Sequence, residues 1–258
     1  MGLLIVPTDF SPNAEKALDQ ALLLAKQTGD QVELLEVFKP VKPKISEKEE
    51  KEKLKQLVVQ RIDALQLGEG VRWRAKVLFD GNFIHALIRR FKNCKAKLVI
   101  IGTHGAHALA DKIFESDTAG LIGKAEIPVL AIPPNWSPAS IQKLSVCLMP
   151  EQVSHHAKLI QKWSGWLGGE VEGLYFTMMP GALSAVKSPF PFHEIPSPVE
   201  TPLYEDLAKY SAGRKGEALA MFVHKRSFFQ KIFDYSITKK AAGLVEVPLL
   251  ALPVSKGE

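Results

Sequence analysis

Residues 98–133 read LVIIGTHGAHALADKIFESDTAGLIGKAEIPVLAIP, and the latter part of this stretch returns near the end of the chain. At a constant offset of 120 residues, Ser116, Thr118, Gly123, Glu126, Pro128, Leu130, Ala131 and Pro133 match Ser236, Thr238, Gly243, Glu246, Pro248, Leu250, Ala251 and Pro253. Eight identities in eighteen aligned positions exceed the roughly one or two that average residue usage would supply, so the pattern reads as a duplication. Lys112-Ile113-Phe114 also reappears as Lys231-Ile232-Phe233, one residue out of step, which puts an insertion or deletion just before the shared serine.

The duplication divides a 258-residue chain into two expected domains, 1–138 and 141–258, each long enough to bury a core of its own. No apolar run approaches the ~18 to 20 residues of a membrane span, and no basic segment followed by a long apolar one opens the chain. Neither a membrane partner nor a signal peptide is therefore expected, and the cytoplasm is the default location. Cys94 and Cys147, one per half, read as a helix end and a buried strand, so a disulfide framework is not expected. The net charge of +5 could suggest nucleic acid, but lysines alternate with acids, as in SEKEEKEKL at 46–54. That is the pattern of a solvated helix face. Apart from His224-Lys225-Arg226, no basic stripe with interleaved aromatics stands out, and no nucleic-acid partner is expected.

Outward from the repeat, residues 3–7 form an apolar run closed by Thr8-Asp9. Ser11 then offers an N-cap with Pro12 at the first helical position, and Gly29 marks that helix's end. A strand over 32–38 precedes a charged helix opened by a Ser46/Glu49 capping box and running to about Leu67. Residues 73–79 predict a third strand, Gly81-Asn82 a turn, and Ile84, Leu87, Ile88 and Phe91 the buried stripe of another helix. Residues 98–101 make a continuous apolar strand. The second half repeats this order less regularly: strands at 144–149, 171–176, 192–195 and 218–223, a helix through Trp163 to Leu167, and one capped by Thr201-Pro202. Between Pro180 and Pro202 six prolines stand where the first half has its charged helix, which predicts an irregular loop. Unbroken apolar strands alternating with helices indicate an α/β fold with a mostly parallel sheet covered on both faces.

This order, with IVPTDFSPNAEKAL at 5–18 and GTHG at 102–105 followed by a serine and then IPVLAIP at 127–133, resembles the universal stress protein family. The resemblance covers nearly the whole chain as two tandem domains, the second degenerate. It implies two flavodoxin-like or Rossmann-like domains, each a five-stranded, mostly parallel sheet, and a stress-response role without catalysis. It also implies a cleft for ATP or AMP in the first half. The family's nucleotide signature falls on Gly102, Gly105, Glu115 and Ser116, with Asp9 after Pro7 on the ribose and adenine side and Val37 supplying backbone to adenine. Physically, glycines past a strand let backbone approach a phosphate, and a helix opened by Ser116 would present free N–H groups to an anion.

Glu115 departs from that signature, which has glycine there. A left-handed backbone at this position would cost a glutamate roughly 1 to 2 kcal/mol. Its charge about 4 Å from a phosphate would add roughly 1 to 4 kcal/mol of repulsion. The expected cleft is thus weakened, and the alternative is a nucleotide-free scaffold for a protein partner. In the second half the segment matching GTHG reads Phe222-Val223-His224-Lys225, Glu151 stands near the place of Asp9, and no phosphate loop is expected. His104 and His107 lack further ligands at metal spacing, so no metal is expected either. No motif for a nucleophile or phosphate transfer is present. The proline-led strands 128–132 and 248–252 end the two halves. Their antiparallel pairing would form an intramolecular pseudo-dimer, hide two apolar edges and leave other surfaces for further dimerisation.

Overall fold

The computed structural model describes residues 1–38, 46–103, 113–124, 126–179, 181, 187–198, 200–224 and 235–254. Strand β1 (Leu3–Pro7) leads into α1 (Pro12–Thr28), which is capped by Ser11 accepting from the Ala14 amide at 3.2 Å and ends at Gly29. Gly29 adopts φ 71°, the left-handed turn that glycine takes without Cβ strain. Then follow β2 (Gln31–Phe38), α2 (Glu47–Ala64), β3 (Arg72–Phe79), α3 (Phe83–Cys94), β4 (Leu98–Gly102), α4 (Ile113–Lys124) and β5 (Val129–Ile132). The second half runs β6 (Lys143–Cys147), α5 (Gln152–Leu167), β7 (Glu170–Thr177), β8 (Phe192–Pro196), α6 (Leu203–Ser211), β9 (Glu217–His224), α7 (Tyr235–Leu244) and β10 (Leu249–Val254). Among the described residues between β7 and β8 there is no counterpart of α2.

The two halves share one ten-stranded sheet in the order β3-β2-β1-β4-β5-β10-β9-β6-β7-β8. Each half contributes the same order, read outward from the centre, and every pairing is parallel except the central one between β5 and β10. There Leu130 faces Leu250, Val129 faces Ala251 and Ala131 faces Leu249. Because these partners are themselves related by the sequence offset, a local twofold passes through the Leu130/Leu250 pair. One hydrophobic core consequently runs through both halves and the junction.

Polar side chains fix how the layers meet. Glu33, fully buried on β2, accepts from Arg74 of β3 at 2.5 Å and from Arg90 of α3 at 2.6 and 2.7 Å. Burial alone would raise its carboxyl, but the two guanidinium groups outweigh that and hold it below its ordinary value. Gln20 of α1 accepts from the Trp136 indole at 2.8 Å and donates to the Ala139 carbonyl at 2.9 Å, so the connection between the halves is strapped to the first helix. Cys147 lies buried at the end of β6, and burial pushes its thiol up to about 12, far from the reactive thiolate range. No helix among the described residues is long and apolar enough to cross a membrane.

Candidate functional site

In the first half the strand order reverses between β1 and β4, since the chain first builds outward through β2 and β3 and then crosses to the other side. Crevices at such a reversal, beyond the carboxyl ends of the strands, are where open α/β sheets take ligands. Pro7 ends β1 opposite Leu35 of β2, Val37 lies two residues further along β2, and Gly102 ends β4. These residues, with Asp9 just past β1, gather at one end of the sheet. Asp9 closes a tight turn, its Oδ1 accepting from the Ser11 amide at 3.0 Å, while Thr8 accepts from the Phe10 amide at 3.0 Å. The turn holds Phe10 at φ 59°, a left-handed conformation uncommon for an aromatic residue. It sets the entry to α1 directly over the strand ends.

Gly102 is also a packing point for α1. A Cβ on it would sit 2.9 Å from the carbonyl oxygen of Asn13 and 3.0 Å from its carbon, so the missing side chain makes room for the first turn of α1. Asn13 donates from Nδ2 to the Ile132 carbonyl at 3.2 Å, while its Oδ1 is buried with no hydrogen-bond partner among the described residues. That leaves an orphaned acceptor among the ends of β1, β4 and β5. Thr118 of α4 donates to the Gly102 carbonyl at 3.0 Å, and the Thr103 amide donates to the Ile132 carbonyl at 3.0 Å. Asn13, Thr103 and Thr118 escaped the sequence reading. A polar residue in a helix's first turn looks solvated unless one knows that the strand ends lie beneath it.

Gly105, His104 and His107 lie outside the described residues. Ser116 does not open α4. The helix starts at Ile113, so Ser116 is its fourth residue and Glu115 its third. The apolar pair Ile113-Phe114 extends the helix back by one turn, and a helical Glu115 needs no left-handed backbone. Only the charge argument against Glu115 remains. Among the described residues no group of three His, Cys, Asp or Glu side chains could hold a metal. A cavity of about 330 Å³ opens between α4 and α7, lined by Thr103, Thr118, Tyr204 and Lys240 among others, but none of Pro7, Asp9, Val37 or Gly102 lines it.

The model of the universal stress protein family matches residues 2–133. The chain belongs to that family. A universal stress protein from Archaeoglobus fulgidus superposes with a TM-score of 0.67 at 15% identity, covering 100% of this chain and 98% of that one. A functionally unknown protein from Pseudomonas aeruginosa gives 0.65 at 14%, with 98% and 92% covered. The cytoplasmic domain of a prokaryotic cation chloride cotransporter gives 0.53 at 11%, with 97% and 94% covered. At these identities the three establish a shared fold. No curated sequence matches the chain.

Within the family frame the second half differs at the strand end that corresponds to Gly102. Phe222 pairs with Leu252 as Gly102 pairs with Ile132, and both pairs are separated by the repeat offset. Its ring stacks on the buried imidazole of His156 from α5, with centroids 4.1 Å apart and planes inclined by 22°. An aromatic pair therefore fills the position where the first half brings a helix onto a bare glycine. Glu151, at the N-cap of α5, makes no capping bond.

Proposed function

We propose that this member of the universal stress protein family is a non-enzymatic, cytoplasmic stress-response protein. In this reading its first half keeps an adenine-nucleotide cleft, for ATP or AMP, in weakened form. The observation that carries it is the convergence of Pro7, Asp9, Val37 and Gly102 on one strand-order reversal beside the buried Oδ1 of Asn13, which has no partner among the described residues. A buried acceptor without a partner fits a ligand hydroxyl, since leaving it unmade costs about 1 to 3 kcal/mol. When bound, the nucleotide would supply a signal and not a reaction, because no motif positions a nucleophile or general base. Asp9 and the Asn13 acceptor would serve the ribose side, and Val37 the adenine.

Glu115 sets the affinity. A carboxylate in the first turn of α4 opposes a polyphosphate at the positive end of that helix, by roughly 1 to 4 kcal/mol at about 4 Å. The second reading, a nucleotide-free scaffold for a protein partner, draws on the same residue. Calorimetric titration with ATP and AMP of the wild type and of Glu115→Gln separates the two. We expect weak wild-type ATP binding that tightens about tenfold or more in the variant, with a smaller gain for AMP. Silence of both proteins toward both nucleotides would refute the cleft and leave the scaffold.

A further inference from the structure

A second cavity, of about 540 Å³, lies at the other end of β4, between the halves. Lys97, one residue before β4, lines it, whereas Gly102 ends that strand. At about 3.3 Å per residue the two ends are about 16 Å apart, so this cavity is distinct from the cleft discussed above. Its walls come from both copies of the repeat: Phe91 from the first half, and Leu159, Trp163, Trp166 and Leu252 from the second. The volume lies within the ~300 to 1,000 Å³ range of small-molecule sites, and the lining is apolar and aromatic as such sites require.

The aromatic wall is held in place before any ligand arrives. Trp166 donates from its indole to Asp30 Oδ2 at 2.7 Å, and Lys97 bonds the same oxygen at 2.8 Å while its ammonium sits 4.8 Å from the centroid of the Trp166 ring. The Gly2 amide also donates to Asp30. Trp163 meets Trp166 edge to face, with centroids 5.4 Å apart. Fixed rings lower the entropy lost on binding.

The charge in the lining is selective. Lys97 is neutralised by Asp30, whereas Lys162 is exposed and has no carboxylate partner among the described residues. It sits on α5, a helix that carries no acidic residue over Gln152–Leu167. One unneutralised ammonium beside apolar walls matches a single negative charge. Among the described residues of the lining there is no guanidinium to grip a phosphate in bidentate fashion.

We infer that this seam between the halves is a binding site for an amphiphilic carboxylate, its apolar body against Trp163, Trp166, Phe91 and Leu159 and its head at Lys162. The test uses the full chain. Anilinonaphthalene sulfonate, excited by energy transfer from tryptophan, reports occupancy. Dodecanoate and 1-dodecanol, equal in tail and different in head, then compete for the site. Expected are saturable displacement at one ligand per chain and a preference for dodecanoate of about fivefold, the scale of one exposed ion pair. That preference should vanish in Lys162→Gln, whose exposed position leaves folding intact. Leu159→Glu, checked for native circular dichroism, should abolish binding of the acid. Equal affinity for acid and alcohol in the wild type, binding indifferent to both substitutions, or no saturable binding would each overturn the proposal. So would concentration-dependent self-association that excludes the probe, because a second copy would then be the occupant.

Discussion

Replacing Glu36 by glutamine should stabilise the protein above neutral pH and make it slightly less stable in mild acid. Glu36 sits half-buried on β2, and its Oε2 is buried with no hydrogen-bond partner among the described residues. Burial, then repulsion from Glu50 of α2, pushes its carboxyl from 4.5 up to about 7, and Lys53 offsets this only in part. Lys53 is itself engaged with Glu50 at 2.7 Å. In the unfolded chain the group returns to 4.5, so the folded state holds the proton more tightly. Its favourable contribution is therefore complete below about pH 4.5 and is lost as the pH rises through about 7. At ~1.36 kcal/mol per tenfold change in proton affinity, the rise from 4.5 to about 7 corresponds to at most about 3 kcal/mol of stability lost across that interval, and solvent at this half-buried position screens part of it. Glutamine keeps the shape without the charge. It brings an amide whose desolvation takes back part of the gain, so the net benefit at pH 8 should be about 1 to 2 kcal/mol. Urea unfolding of wild type and Glu36→Gln at pH 5 and pH 8 gives the difference, with titrating groups remote from Glu36 cancelling between the two proteins and only Glu50 and Lys53 coupled to the change. A difference that is the same at both pH values would refute the reasoning.

Two further substitutions probe the strand ends and the junction. Gly102→Ala should cost about 1 to 3 kcal/mol in urea unfolding without any nucleotide present, because the new methyl would press on the Asn13 backbone at about 3 Å. Unchanged stability together with lost ATP binding would instead assign this glycine to a phosphate. Leu130→Ala and Leu250→Ala, each truncating a side chain no more than 1% exposed, should each cost about 2 to 5 kcal/mol and by nearly equal amounts. A large cost for one and none for the other would deny the local twofold.

Most elements could be read from the sequence because local chemistry fixes them. Ser11, Pro12 and Gly29 bracket α1, the Ser46 hydroxyl accepts from the Glu49 amide as the capping box requires, and Phe83–Cys94 buries Ala86, Leu87 and Ile88. Asn82, read as part of a turn, proves to cap α3 by accepting from the His85 amide at 3.0 Å. What stayed hidden depends on partners distant in sequence. Nothing near Glu33 signals Arg74 or Arg90, which are 41 and 57 residues away. Nothing near Trp166 signals Asp30, 136 residues away. The start of α4 was misjudged because Ser116 satisfies the capping preference locally, while the helix begins at Ile113. The site was legible to the same degree. Pro7, Asp9, Val37 and Gly102 reach one strand-end region because strand order dictates it, whereas the Asn13 acceptor becomes visible only once α1 lies on β4.

The internal repeat and the shared sheet also bear on where the two halves differ. A single copy would end on β5 with its apolar backbone edge open, and such an edge pairs with whatever strand it meets. Joining β5 to β10 removes both edges at once and, among the described residues, leaves β3 and β8 at the margins of the sheet. Both are defended. On β3, Arg72, Arg74 and Lys76 alternate along the strand; β8 is flanked by Pro191 and Pro198 and ends at Pro196. At the junction Leu130 and Ala131 are identical to their counterparts Leu250 and Ala251, and Val129 and Leu249 are both aliphatic, as fits positions where each copy packs against the other's image. No such reciprocity protects the strand ends, where Gly102 in one copy faces Asn13 and Phe222 in the other stacks on His156. One copy can therefore fill its mouth with aromatic rings while the shared core stays intact. That substitution opens no gap in the sheet, and the Phe222–His156 stack adds buried aromatic surface where an open mouth would have none.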